Sequence, residues 1–253
     1  MSPFEPATGE NFLLAALPRR EHRRFLASCR PVELAFADVL ADSGERIRHV
    51  YFPTASFVSQ KMPANGGANL DVGLVGDEGM VGIALALGVD VSPLHAVVQG
   101  GGPALRMEAA PFLRQLAASP ALLRVLNSYF YVLMSQLAQT AVCTRFHVLE
   151  ARLARLLLMT QDRAHTDELH ITHELLAGRL GVRRAGVTTA AISLQRLELI
   201  SYHRGNITIR DRGGLKAAAC ECYAADNNVY ARMMGKRARV AVVASRTAHA
   251  PQS

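Results

Sequence analysis

Between residues 10 and 30, Leu13, Leu14, Leu17 and Phe25 follow a helical spacing and predict a short helical lead-in. From about Pro31 to Met107 the period shortens. Runs such as HVYFPTASFVSQKM, LDVGLVG and HAVVQG are rich in β-branched and aromatic residues. Turn residues punctuate them at Asp42-Ser43-Gly44, Asn65-Gly66-Gly67, Gly76-Asp77 and Gly100-Gly101-Gly102-Pro103. Short strands with regular turn signals predict an antiparallel sandwich or barrel. Pro53 lacks an amide donor, so the start of the strand between Tyr51 and Met62 is expected at an edge or a kink.

The helical period returns after Ser119-Pro120, a favourable helix opening. Leu123, Leu126, Phe130, Leu133 and Leu137 form one stripe, and Leu122, Val125, Tyr129 and Val132 a second beside it. One stripe would serve a helix lying on its own domain. Two predict that the first also packs against a symmetry mate, making a homodimer seam. A further helix is expected from about Arg145 to Asp162, with Leu149, Leu153, Leu156 and Leu157 on one side. RAHTDELH is polar and reads as a loop or short strand, and Asp226 to Ser253 as a frayed basic tail.

The segment HELLAGRLGVRRAGVTTAAISLQRLELI, residues 173–200, begins like a zinc-protease signature, but Ala177 stands where the second histidine is required. Its pattern is that of two helices. Thr172 can cap the first, Glu174 suits its positive end, and Leu175, Leu176 and Leu180 form its apolar face. Gly181 supplies the turn. The second runs from about Arg184 to Glu198, with Val187, Ile192, Leu194 and Leu197 inward. Small Ala177 permits a close crossing, which fits a helix-turn-helix. In LISYHRGNITIRD, Ile200 and Tyr202, then Ile207 and Ile209, alternate around His203-Arg204-Gly205-Asn206, a β-hairpin. A helix-turn-helix followed by a hairpin is a winged helix, whose second helix enters the DNA major groove while the wing tip reaches phosphate.

Charge supports that reading. Residues 1–144 carry 11 Lys/Arg and 12 Asp/Glu, whereas residues 145–253 carry 17 and 9, so the basic excess lies in the half with the winged helix. No apolar run is long enough to span a bilayer, and the N-terminus lacks a basic region ahead of an apolar stretch. A cytoplasmic location and no membrane partner are therefore expected. Cys29, Cys143, Cys220 and Cys222 are too scattered for a disulfide framework, and Cys220 and Cys222 do not have C-x-x-C spacing. They read as ordinary thiols.

The residues LLAGRLGVRRAGVTTAAISLQRLELISYHRGNITIRDRGGL resemble the DNA-binding half of the Crp/Fnr family of bacterial transcription regulators. The resemblance extends over nearly the whole chain, more loosely in the first half. It implies an α+β protein: an N-terminal antiparallel β-roll like a cyclic-nucleotide-binding domain at 1–119, a long dimerisation helix at 120–144, a C-terminal winged helix at 145–225, and the basic tail at 226–253. It also implies a homodimer on a palindromic DNA site, activity set by a small-molecule effector or other signal in the roll, and RNA polymerase as a candidate partner. Arg184 matches the family's guanine-reading arginine. Ala185 and Thr189 replace the usual glutamate and second arginine, so the operator should differ from the common half-site. The expected DNA contacts are Thr172, Arg183, Arg184, Thr188, Thr189 and Arg204.

The roll departs further. VGDEGMVGIALALGVDVSPLHAVV stands where relatives hold a cyclic phosphate, yet no arginine lies between Leu70 and Gly102, and Asp77 and Glu78 would repel a phosphate. Cyclic AMP is not expected to bind. An effector pocket, if present, would use Gly76, Gly79, Gly82 and His95, although the glycines are expected to serve the fold. No cysteine cluster suits an N-terminal iron–sulfur centre, and neither His22, His49 and His95 nor the group His165, His170 and His173 matches a haem or metal motif. No cofactor or metal is expected. A cupin-like enzyme would need an H-x-H pair, which the chain lacks, and neither a G-x-S-x-G elbow nor a phosphate-binding P-loop occurs. The protein is therefore not expected to be an enzyme.

Overall fold

The computed structural model describes residues 9–63 and 69–235. The Asn65-Gly66-Gly67 turn and residues 236–253 of the expected tail lie outside them. The chain opens with α1 (Phe12–Ala15) and α2 (Arg19–Leu26), where Leu13, Leu14, Leu17 and Phe25 are buried as the spacing predicted. Seven strands follow: β1 (Arg30–Leu34), β2 (Val39–Ala41), β3 (His49–Pro53), β4 (Phe57–Pro63), β5 (Asn69–Val75), β6 (His95–Gly100) and β7 (Gly102–Glu108). All pair antiparallel, in sheets of order β1-β7-β3 and β2-β6-β4-β5. Leu34, Tyr51, Val58, Val75, Val98 and Ala104 fill the space between the sheets.

The run from His49 to Met62 is two strands rather than one. Pro53 ends β3, an edge strand of the first sheet, and the chain crosses to the second before β4 begins at Phe57. Without an amide hydrogen Pro53 cannot extend a ladder, which suits it to that crossing.

Helix α3 (Ala109–Ala118) leads into α4 (Pro120–Phe146). Ser119 caps α4 by accepting from the Leu122 amide at 3.0 Å, with Pro120 in the first turn. Leu122, Leu126, Tyr129 and Val132 are buried; the first three pack with Phe25, Phe52, Met80, Met107 and Phe112. This corrects the expected seam. Leu126 belongs to the protomer's own core and is closed to a partner, and Leu133 is only partly exposed. The apolar face left open is Leu123, Tyr131, Met134, Leu137 and Val142, flanked by half-buried Phe130. The sequence stripe drifted off this face because one side of α4 rests on the roll. No single described helix is long and apolar enough to cross a membrane.

α4 breaks at His147 and Val148, and α5 (Leu149–Ala164) begins the second half. There follow β8 (Glu168–His170), α6 (His173–Leu180), α7 (Arg184–Arg196), β9 (Ile200–His203), β10 (Asn206–Ile209), α8 (Arg212–Ala218) and α9 (Cys222–Met234). The strands form one sheet of order β8-β10-β9. Leu153, Leu157, Leu176, Val187, Leu194, Ile207 and Leu215 make the core.

Residues 226–234 are not a frayed tail. They belong to α9, which packs along α4. The buried face of α9 is Cys222, Tyr223, Asp226 and Tyr230. Asp226 hid it from a hydrophobicity pattern, because its carboxylate is buried against Arg155, 2.6 Å away.

Candidate nucleic-acid interface

Thr172 caps α6, its hydroxyl accepting from the Leu175 amide at 3.2 Å. Gly181 ends the helix at φ +63, a conformation that costs a side-chain-bearing residue far more than glycine. The chain then turns so that the Val182 amide reaches the Ala177 carbonyl at 3.1 Å and α7 begins at Arg184. Ala177 and Val187 are buried where the helices meet. Ile192 and Leu197, expected to face inward, are exposed; the inward face of α7 is Val187, Ala190, Ala191 and Leu194. A helix lying on one side needs only that stripe, and Ala190 and Ala191 carried too little hydrophobic signal to mark it.

The opposite face carries the expected reading groups. Arg183, Arg184 and Thr189 are exposed, and among the described residues neither arginine has a carboxylate at ion-pair distance. Beside them the β9–β10 hairpin turns through Arg204 (φ 44) and Gly205 (φ 85), both left-handed as a tight two-residue hairpin requires, leaving Arg204 exposed. Gly205 lies close to the Thr172 side chain, so the first helix cap and the wing tip adjoin.

Thr188 plays a different part from Thr189. It is half-buried, its hydroxyl 3.1 Å from the Arg184 carbonyl and 3.0 Å from Nδ1 of His173. The His173 ring stacks on Tyr202 of the wing with centroids 4.1 Å apart. His173 thus braces α6, α7 and the wing together. Burial, then the nearby charge of Arg184, lowers its pKa and favours neutral imidazole. Sequence reading weighed His173 as the start of a failed metal motif and as one of a histidine group with His165 and His170, not as a brace. Its neighbours His165 and His170 pair elsewhere, with Asp77 and Asn206, so the three do not converge.

The expected effector residues do not share one open wall. A side chain at Gly76 would meet Arg163 at 2.8 Å, and one at Gly79 would lie 2.0 Å from the Tyr129 hydroxyl. Gly82, at φ +92, sits against Val50 and His49. His95 lies on β6, paired with Asp42. At Gly76 and Gly79 the lack of a side chain lets α5 and α4 approach the loop closely.

The same loop ties the roll to the second half of the chain. Buried Glu78 lies 2.6 Å from Arg163, and Asp77 lies 2.8 Å from His165, both partners near the end of α5. Tyr230 of α9 donates to the Glu78 carbonyl at 3.1 Å. A second tie joins α6 to the roll: Arg179 lies 3.2 Å from Asp71 and donates to Gln99 at 2.9 Å. Burial pulls the Arg179 pKa down, opposed by the charge of Asp71, and burial pushes Asp71 up. Both shifts mark the cost of dehydrating this pair, which fixes an orientation more than it adds stability. A cavity of about 220 Å³ lies beside it, lined by Phe57, Gln99, Thr160, Leu169, Leu175 and Arg179 among others.

Residues 151–218 match the Crp-like helix-turn-helix domain family. No curated protein sequence matches the chain. Solved structures do. FixK2 from Bradyrhizobium japonicum is 13% identical with a TM-score of 0.65, covering 76% of this chain and 98% of its own. CLP, the c-di-GMP-responsive global regulator of Xanthomonas campestris, is 15% identical at 0.64, covering 77% and 100%. TTHB099, a CRP-family transcriptional regulator from Thermus thermophilus, is 18% identical at 0.63, covering 74% and 96%. At these identities the structural likeness establishes the fold, and the helix-turn-helix match identifies the DNA-binding half. Residues 151–218 are thus a Crp-like helix-turn-helix domain, and with the β-roll and long helix ahead of it the chain has the fold of FixK2, CLP and TTHB099.

Proposed function

We infer that two copies of the chain bind a palindromic operator, with α7 of each in a major groove and Arg204 of each wing on phosphate. The observation that carries this reading is the pair Arg183 and Arg184, exposed without a carboxylate partner among the described residues at the start of α7. Arg184 is the base reader, because a guanidinium can bond O6 and N7 of guanine together. Arg183, Thr172 and Arg204 position the domain on the backbone. Thr189 stands on the exposed face of α7. Thr188 acts through His173. The open stripe on α4, Leu123, Tyr131, Met134 and Leu137 with Phe130 beside it, supplies the two-fold seam.

Regulation runs from the roll through the Asp77–Glu78 loop and the Asp71–Arg179 pair, where charged groups of the two halves meet among the described residues. Cyclic AMP is a poor candidate signal, because the glycine loop is packed against Tyr129 and Arg163 and no arginine stands in that segment. The role this gives the chain is that of a transcription regulator of the Crp/Fnr type, which a cytoplasmic location and contact with RNA polymerase would fit.

The test is selection of bound sites from random DNA at fixed salt, since phosphate contacts make affinity steeply salt-dependent. Arms without ligand, with cyclic AMP and with c-di-GMP separate a ligand-gated regulator from one that binds unaided. The expected product is a palindrome with half-sites about one helical turn apart. Arg184→Ala should lose about 1–3 kcal/mol of specific binding and relax preference at one base pair per half-site. An asymmetric site bound by a monomer, or unchanged affinity in the variant, overturns the reading.

A further inference from the structure

Four side chains able to bind a soft metal meet where the long helix ends. Cys143 lies in the last turn of α4, and His147 is the residue that ends that helix. Cys220 lies between α8 and α9, and Cys222 is the first residue of α9. The three cysteines are buried free thiols, and their sulfurs and a His147 nitrogen all lie within 4.8 Å of one another. Sequence spacing alone left them scattered. Packing of α9 along α4 brings the Cys143-x-x-x-His147 half to the Cys220-x-Cys222 half.

The distances fit one ion. With Zn–S near 2.3 Å and Zn–N near 2.0–2.1 Å, a tetrahedral site has edges of about 3.8 Å between sulfurs and about 3.6 Å from sulfur to nitrogen. Here Cys143 Sγ lies 3.5 Å from Cys220 Sγ, and Cys222 Sγ lies 3.3 Å from His147 Nδ1. The surrounding groups also match what such a centre uses. Nδ1 of His147 faces the thiols while Nε2 lies 3.0 Å from the Glu221 carboxylate, the arrangement that fixes the tautomer of a ligating histidine. Gln139 donates to Cys222 Sγ at 3.0 Å. A disulfide between Cys143 and Cys220 would use neither the oriented imidazole nor Cys222.

We propose that Cys143, His147, Cys220 and Cys222 form a Cys3His site for Zn²⁺, clamping α9 and the winged helix to the end of α4. Binding replaces the three thiol protons, which leave to solvent, and involves no oxidation. Exposed Glu221 and partly exposed His147 give the ion its way in. The site spans the break between α4 and α5, so the ion fixes the angle between the long helix and the DNA-binding half. This inference does not depend on which operator is read.

The experiment titrates reduced, full-length protein with Co²⁺ alone, then displaces it with Zn²⁺. One Co²⁺ per chain should bind, with thiolate-to-cobalt charge-transfer and tetrahedral d–d absorption that Zn²⁺ abolishes. Cys222→Ser should weaken binding by about 100-fold or more, and Glu221→Gln, at an exposed position, by about 10-fold. Cys29→Ser, at the cysteine outside this cluster, should leave the spectrum unchanged. The wild-type titration needs no variant to fold. Absence of the charge-transfer band in wild type overturns the proposal. So does a Cys143–Cys220 disulfide forming in mild oxidant in a protein that takes up no Co²⁺ when reduced, or metal binding indifferent to both Cys222→Ser and Glu221→Gln.

Discussion

The winged helix and the roll loop at residues 76–80 treat charge in opposite ways. At the start of α7, Arg183 and Arg184 are held out in solvent by a glycine turn, an uncapped helix start and a buried apolar face behind them. In the loop, Asp77 and Glu78 are turned inward and packed against Arg163 and His165 of the other half. Charge left in water is available to a polyanion and adds little to stability, whereas charge taken out of water must keep its partner. The first region is a surface for recognition. The second is a joint whose geometry is set by its ion pairs.

The largest effect should come from cutting that joint. Arg163→Ala removes the cation against which Glu78 is buried, and is expected to cost about 3–5 kcal/mol in chemical denaturation. Arg184→Ala in the same assay should be near neutral; a comparable loss in both would erase the distinction. Next comes the open face of α4. Met134→Asp puts a charge in the centre of the proposed seam and should weaken association by about 2 kcal/mol or more, read as a monomer by sedimentation at micromolar protein. A dimer that persists unchanged would place the two-fold elsewhere. The smallest concerns His173. Its folded pKa lies below the ordinary 6.5 because burial, then Arg184, disfavours the cation. Its contribution is therefore complete above pH 6.5 and is lost as pH falls through the lowered value. Between pH 7 and pH 5, wild type should lose more thermal stability than His173→Gln, by on the order of one or two degrees. Parallel pH curves would remove His173 from its bracing role.

What the sequence made readable was local. Gly181 after an apolar stripe, Ser119 before Pro120, and Arg204-Gly205 between alternating isoleucines each describe a conformation within a few residues, and the structure keeps all three. What it concealed was contact over long separations. Asp226 looked like a surface residue because Arg155, 71 residues away, neutralises it. Leu126 looked like a partner-facing residue because nothing in its own helix says that the roll lies on that side. The glycines of the loop were legible as structural, but the tyrosine and arginine that make them necessary were not. The cysteines read as scattered thiols, because only the course of α9 makes Cys143 and His147 neighbours of Cys220 and Cys222.

One small detail of the loop sets how far a disturbance in the first half travels. Its backbone is held at once by Asn11 from the N-terminal helices, Tyr129 from the long helix and Tyr230 from the last one, while Arg163 grips a side chain. These handles belong to elements far apart in the chain, yet they meet over three consecutive residues, Glu78 to Met80. A displacement of about an ångström there could not be absorbed by one neighbour alone, because close-packed interiors transmit strain. Under the proposed regulation the roll needs no deep ligand cage to be heard: pressure on this knot would move the helices on both sides of it together.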